Sequence, residues 1–328
     1  MNWDILGHEW AIQLLKAHIT RGTLRHAYLL TGPQGIGRRT LALRFAQAVN
    51  CTEPPAPGEF CGHCRSCRLI ARMEHPDLSI VQAEQVGGML KVDQVRDLQH
   101  ALSLTPYEAR FRVALLLRFE EANSNAANAL LKTLEEPPSQ VILLVTAESG
   151  ESLLPTIVSR CEVLRLRPLP VKTIQRGLES QLDLPQDKAG LLAHLSGGRP
   201  GQAYLLHQEP ALLSQRQTWL DDQNQLLAAS RVARFAYAET LAKDKETLRG
   251  ALQVWLSYWR DVLLFASGAH APVTNFDRSE EIEEAAKHFG LSEACRMVSA
   301  VESTVGLLEH NVNARLAMEV LLLSLPHL

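Results

Sequence analysis

Four cysteines crowd into a short stretch as Cys51-x9-Cys61-x2-Cys64-x2-Cys67. Four thiolates can surround one Zn²⁺ tetrahedrally, and a shell closed in this way leaves no position for a substrate. The chemistry expected of Cys51, Cys61, Cys64 and Cys67 is therefore structural rather than catalytic. An iron–sulfur cluster and a set of free surface thiols are the alternatives, and His63 inside the run is a competing ligand. A second pattern is Gly32-Pro33-Gln34-Gly35-Ile36-Gly37-Arg38-Arg39-Thr40. Glycines such as Gly32, Gly35 and Gly37 let backbone N–H groups curl around a phosphate at the start of a helix. A loop that works on Mg²⁺-ATP ends in Gly-Lys-Ser/Thr, whereas this one ends in Gly37-Arg38-Arg39. Arg38 stands in place of the lysine, Arg39 in place of the hydroxyl, and Thr40 comes one residue late, rotated by about 100° on the helix. The third feature is Arg160, between Ser159 and Cys161, which by spacing alone is a solvated loop arginine.

These residues need elements to hold them. His26–Thr31 is a short strand entering the glycine loop, and a helix from about Arg38 to Val49 leaves it with Leu41, Phe45 and Ala48 inward. An amphipathic helix over Ile5–Arg21 precedes them, with Ala11, Leu14, Leu15 and Ile19 on one side. Strands are expected at about 27–31, 78–82, 113–117, 141–146 and 161–166, with helices between them, one of them over Val92–Ala101. Alternation of this kind gives a parallel sheet with helices on both faces. The helix before Pro137 is capped by Asn123 or Ser124 and lays Ala127, Leu130, Leu131 and Leu134 along one face. Val141–Val145 is an unbroken apolar run, as a strand covered on both sides would be.

From Arg167-Pro168-Leu169-Pro170 the texture changes. Residues 171–208 hold two short helices and the turn Ser196–Gly201. Beyond Pro210 the chain is helical, over 212–227, 236–265, 280–289, 292–309 and 313–325. The apolar stripe Trp255, Trp259, Leu263, Leu264 is expected to be core. The division expected is 1–168 with a metal module at 51–67, then 169–208, then 209–328.

The 328 residues are 46% hydrophobic and 21% charged, with a net charge of −3 and a pI near 6.5. Bulk charge gives no nucleic-acid binder, so DNA contact would be local or shared with partners. A basic run at Arg65, Arg68 and Arg72 is the one local cue, and a solvated face is its ordinary reading. Met1-Asn2-Trp3-Asp4 shows no basic n-region or apolar h-region, and no apolar run approaches the length of a membrane span. A cytoplasmic protein, with its six cysteines reduced or metal-bound, is expected.

Three runs resemble the clamp-loader branch of the AAA+ family: Ala127–Pro138 (A-N-A-L-L-K-T-L-E-E-P-P), Ser159-Arg160-Cys161, and the four-cysteine insert. The Val92-Asp93-Gln94-Val95-Arg96 wording and the run Asn311–Leu316 before the last helix are similar to the same family. The resemblance covers almost the whole chain and implies an AAA+ core with a zinc insert, a small helical lid and an all-α collar. It implies that Arg160 is a finger reaching into a neighbour's ATP site, with Ser159 fixing its loop. The family's acidic pair would fall on Leu117 and Arg118, and Glu120 and Glu121 come two or more positions late. The lid's sensing arginine would fall on Pro200 or Gly201, with Arg199 a residue or two off. The implied role is a non-hydrolysing subunit of bacterial DNA polymerase III, within the replisome at the nucleoid. Its partners would be gamma/tau and delta subunits, the sliding clamp and primed DNA. The alternative is a divergent gamma/tau-like motor in which Arg38 and Glu120 or Glu121 rebuild the ATP site.

Overall fold

The computed structural model describes residues 3–85, 87–309 and 312–327. Asn311, part of the run read as the collar's end, lies outside the described residues, as do Met1 and Asn2. The chain divides into two compact units, Met1–Thr173 with Arg199–Gln202, and Ile174–Gly198 with Ala203–Leu328.

In the first unit the elements run α1 (Glu9–Arg21), β1 (Ala27–Thr31), α2 (Arg38–Asn50), α3 (Arg65–Arg72), β2 (Leu78–Val81), α4 (Val92–Leu102), β3 (Arg112–Leu116), α5 (Ser124–Glu135), β4 (Val141–Ala147), α6 (Pro155–Val158) and β5 (Glu162–Arg165). The five strands form one parallel sheet in the order β2-β3-β4-β1-β5. Every residue of β1, β3 and β4 is buried. Alternate side chains feed two separate cores. Tyr28, Leu30, Val113, Leu115, Ile142 and Leu144 pack with α1, α2 and α3. Leu29, Ala114, Leu116, Leu143 and Val145 pack with α4, α5 and α6. A strand covered on both faces needs apolar residues at every position, which is why these segments read as unbroken runs.

The first helix starts later than Ile5. Gly7 (φ 73°) and His8 (φ 60°) are left-handed, so the chain turns before Glu9 and Ile5 enters the core from a non-helical segment. The start of α5 follows its sequence signal, with the Asn123 side chain accepting from Ala126 N.

A buried carboxylate ties β2 to the loop ahead of β3. Asp77 accepts from the amides of Tyr107, Glu108 and Ala109 at 2.7, 2.9 and 2.9 Å and from Arg112 Nη2 at 3.1 Å. Burial alone would raise its pKa; the amide donors and the Arg112 charge outweigh burial and hold it below the ordinary value. Its stabilising effect is therefore full above the unfolded carboxyl value of about 3.9 and is lost as pH falls through the lower folded value. Asp77→Asn is expected to cost about 2 kcal/mol at neutral pH and to flatten the acid limb of stability. Urea midpoints measured across pH 3–7 (about the carboxyl range) check this; an unchanged acid limb would discard the assignment.

The second unit is helical. The expectation of two helices over 171–208 is corrected to three: α7 (Val171–Leu182), α8 (Gln186–Leu195) and α9 (Pro200–Gln208). Proline fits the first helical position, where no N–H is needed, so Pro200 starts a helix instead of ending a turn. Then come α10 (Pro210–Leu227), α11 (Arg231–Leu241), α12 (Lys245–Ser267), α13 (Ser279–Glu309) and α14 (Ala314–Ser324). The single segment expected over 236–265 is two helices. Asp244 accepts from Glu246 N and Thr247 N and starts α12 afresh. In α13, Gly290 (φ 71°, ψ 178°) makes the kink between the two segments read as 280–289 and 292–309. Trp255 and Trp259 are fully buried among Ile282, Met297, Val301, Met318 and Leu322, so the aromatic stripe is core.

Arg234 lies inside this unit, 2% exposed. Its five N–H bonds all go to backbone carbonyls: Nε to Leu226, Nη1 to Leu322 and Leu325, Nη2 to Leu227 and Pro326, at 2.9–3.2 Å. The acceptors are the C-terminal ends of α10 and α14 and the residues just beyond α14. Helix C-termini leave carbonyls unbonded and carry partial negative charge, so one guanidinium caps both.

Candidate functional site

The glycine loop joins β1 to α2. Gly32, Gly35 and Gly37 have φ of 145°, 81° and 107°. A Cβ on Gly32 would stand 2.4 Å from the Leu166 carbonyl oxygen, so only glycine fits there. The loop is held by its own chain: Gly201 N donates to Gly35 O at 2.8 Å, and His8 Nε2 lies 3.1 Å from Ile36 O. Gly201, the position where a lid arginine was sought, thus contributes a backbone amide to the loop.

Arg38 is the first residue of α2 and is 9% exposed. Burial lowers its pKa, while the carboxylates of Glu120 and Glu148 oppose that shift. Burial raises the Glu120 pKa, against the pull of Arg38. Arg38 thus belongs to a cluster of charges with Glu120 and Glu148 in which Arg38 Nη1 and Glu120 Oε2 are buried without a hydrogen-bond partner. Arg39 is turned outward, with Nη2 3.1 Å from Met73 Sδ, and Thr40 is exposed. Past β3, Leu117 is buried, and Arg118 is left-handed (φ 49°) and paired through Nε with Glu121 at 2.9 Å. Glu121 also accepts from Gly87 N at 2.9 Å. Glu148 is a member of this cluster that sequence reasoning missed; its only signal was its place just after β4.

Arg160 follows the short helix α6, begun by Pro155. Its Nη1 donates to Thr156 O at 2.9 Å and its Nη2 to Glu135 Oε1 at 2.7 Å. Ser159 Oγ donates to the same Thr156 carbonyl at 3.2 Å, so Ser159 and Arg160 share one anchor. Cys161 is half-buried, and desolvation pushes its thiol up to about 12, which leaves it protonated at neutral pH. Strand direction separates Arg160 from the glycine loop. In the parallel pair of β1 and β5, Tyr28 lies beside Glu162 and Thr31 beside Arg165. Arg160 precedes the start of β5, whereas the loop follows the end of β1. A four-residue strand spans about 13 Å, so the two sites lie at opposite ends of the strands, Arg160 where they begin and the glycine loop where they finish.

The four sulfurs of Cys51, Cys61, Cys64 and Cys67 lie within 4.8 Å of one another. Cys61 N approaches Cys51 Sγ at 3.3 Å, Cys64 N approaches Cys61 Sγ at 3.2 Å, and Cys67 N approaches Cys64 Sγ at 3.4 Å. Amides aimed at sulfur favour thiolate, and Cys64 also caps the start of α3. These donors fit a tetrahedral metal ion, whose Zn–S bonds of about 2.3 Å need sulfurs this close. His63 is outside the group; it is exposed, with Nδ1 4.0 Å from Glu53 Oε2. The module is tied to its surroundings. Gln47 Nε2 on α2 donates to Cys67 O at 2.8 Å, Trp3 Nε1 donates to Gly58 O at 3.1 Å, and Lys16 on α1 pairs with Glu59 at 2.5 Å. Arg65, Arg68 and Arg72 lie exposed on α3, Arg65 paired with Glu108 at 3.4 Å.

Residues 7–170 match the family described as DNA polymerase III, delta subunit, and residues 210–327 the one described as DNA polymerase III, delta subunit, C terminal. The DNA polymerase III subunit delta' of Bacillus subtilis (strain 168) is 31% identical over 96% of this chain and 94% of its own. That of Escherichia coli (strain K12) is 30% identical over 95% and 92%. The chain belongs to the DNA polymerase III delta' family. A delta' subunit of Pseudomonas aeruginosa is 43% identical over a shorter stretch, 56% of each chain. Among the described residues, no helix of this delta' family member is long and apolar enough to cross a membrane.

Proposed function

We propose that this chain is a non-hydrolysing member of a clamp loader, which lends Arg160 to the ATP site of an adjacent gamma/tau subunit. The observation that carries this reading is the placement of Arg160 at the strand ends opposite its own glycine loop. From there it reaches no phosphate in cis; it serves a site on another chain. The glycine loop itself supports the same reading, because α2 begins with Arg38 where a motor would present lysine to a nucleotide. Arg160 then stabilises charge on the γ-phosphate as the neighbour hydrolyses ATP, and hydrolysis lets the sliding clamp close on primed DNA. The three-part division into an AAA+ core, a lid and a collar that joins the ring belongs to this proposal, as does a site in the cytoplasm beside the nucleoid.

The experiment that tests it is equilibrium binding of a fluorescent ATP analogue to the purified chain, with and without Mg²⁺. Weak binding that ignores Mg²⁺ is expected. Tight, Mg²⁺-dependent binding would mean that Arg38 and Glu120 rebuild a motor site, and the non-hydrolysing role would be abandoned.

Cys51, Cys61, Cys64 and Cys67 are proposed to hold one structural Zn²⁺. Bound there, the ion supplies a cross-link among thiolates and no reaction. Because the module grips α1, α2 and Trp3, metal loss should loosen the first unit as a whole. Elemental analysis is expected to find one zinc per chain, and a strong chelator to lower the melting temperature by several degrees, on the order of 2–4 °C per kcal/mol in a unit of this size. Iron with visible absorbance would favour the cluster alternative instead.

A further inference from the structure

Both terminal nitrogens of the Arg160 guanidinium are already engaged within this chain, Nη1 on the Thr156 carbonyl and Nη2 on the Glu135 carboxylate. Glu135 is the last residue of α5, at the same end of the strands as Arg160, and its side chain is 51% exposed against 36% for Arg160. An exposed pair of this kind adds little to stability, so the pair is a poor candidate for a structural strut. A carboxylate and a phosphoryl group present the same fork of oxygens to arginine. The carboxylate therefore occupies Nη2, one of the donors that a neighbour's phosphate would need.

We infer that Glu135 is an intramolecular competitor for Arg160, a positioning residue that holds the guanidinium in a parked state until a phosphoryl anion of higher charge displaces it. The inference rests on Arg160 acting in trans. Only the released fraction of Arg160 is competent, so apparent competence is reduced by that fraction. An exposed pair of ordinary strength accounts for a factor of about 1.5 to 5. No bond is made or broken; one ionic partner replaces another.

Two measurements test it. In the isolated full chain, the rate at which phenylglyoxal modifies Arg160, followed by peptide mass spectrometry, should rise about 1.5- to 5-fold in Glu135→Gln and in Glu135→Ala. An unchanged rate overturns the parked state whatever Arg160 does in the complex. In the reconstituted clamp loader without DNA, both variants should raise ATP turnover by a similar factor, and should have no effect when combined with Arg160→Ala. Unchanged or lower turnover, with Arg160→Ala alone still inhibitory, overturns the competitor role and leaves the finger standing. If Arg160→Ala alone changes nothing, the finger and the competitor fall together. A rise that persists in the Arg160→Ala background also overturns it, because the effect would not pass through Arg160.

Discussion

Arg160→Ala is expected to lower ATP turnover at the neighbouring gamma/tau site by about 10³–10⁵-fold, the range that arginine fingers supply in other phosphoryl-transfer systems. The loss should be in turnover and not in assembly, because the side chain is part-exposed and its partners within the chain are one surface carboxylate and one carbonyl. Arg160→Lys should recover little. Lysine carries the charge but lacks the planar fork that meets two phosphoryl oxygens at once. Ser159→Ala should act more mildly, since Ser159 contributes one hydrogen bond to the carbonyl that also anchors Arg160. The check is single-turnover hydrolysis and DNA-stimulated ATPase of the reconstituted complex, alongside gel filtration to establish that it still assembles. Full turnover with assembly intact would remove Arg160 from the mechanism.

The second large effect is on stability. Arg234→Met should destabilise the helical unit by about 2–3 kcal/mol or more, a large share of the 5–15 kcal/mol that holds an ordinary domain together. Methionine fills comparable space but offers no donor, so the carbonyls of Leu226, Leu227, Leu322, Leu325 and Pro326 would lose their shared partner inside the protein. Arg234→Lys keeps the charge with three donors in place of five and should recover part of the loss. Urea denaturation gives the magnitude. Hydrogen exchange gives the location, with protection lost first at the ends of α10 and α14. A loss below about 1 kcal/mol, the size of a single ordinary hydrogen bond, would show that water replaces the guanidinium at little cost.

The sheet was legible in the sequence because each central strand is covered on both faces, and this forces unbroken apolar runs such as Val141–Val145. The start of α5 was legible because Asn123 caps it through its own side chain, a local interaction. Errors arose where local signals were weak or misleading. The period of apolar residues continues across 236–265, and only Asp244 marks the break between α11 and α12. Gly7 and His8 adopt left-handed conformations before α1, and the histidine gave no warning of this. In the candidate site, the cysteine group was fully visible, since clustering in sequence and in space coincide. The partners of the arginines were not. Glu135 meets Arg160 across 25 residues, and Arg234 reaches carbonyls up to 92 residues away. Such pairs exist only after the chain has folded, and each arginine alone reads as one more surface charge.

The strand directions described above also bear on assembly order. A parallel sheet has a front and a back: here the glycine loop is at one end of the strands and Arg160 at the other. On the proposed reading, subunits built this way would meet head to tail, a heterologous contact that extends until something stops it. On the proposed reading this chain can give an arginine forward, but it has no working site to receive one from behind. It can therefore stand only at the end of a row of motors, and one such chain would be enough to set where the row stops and in which direction the arginines point.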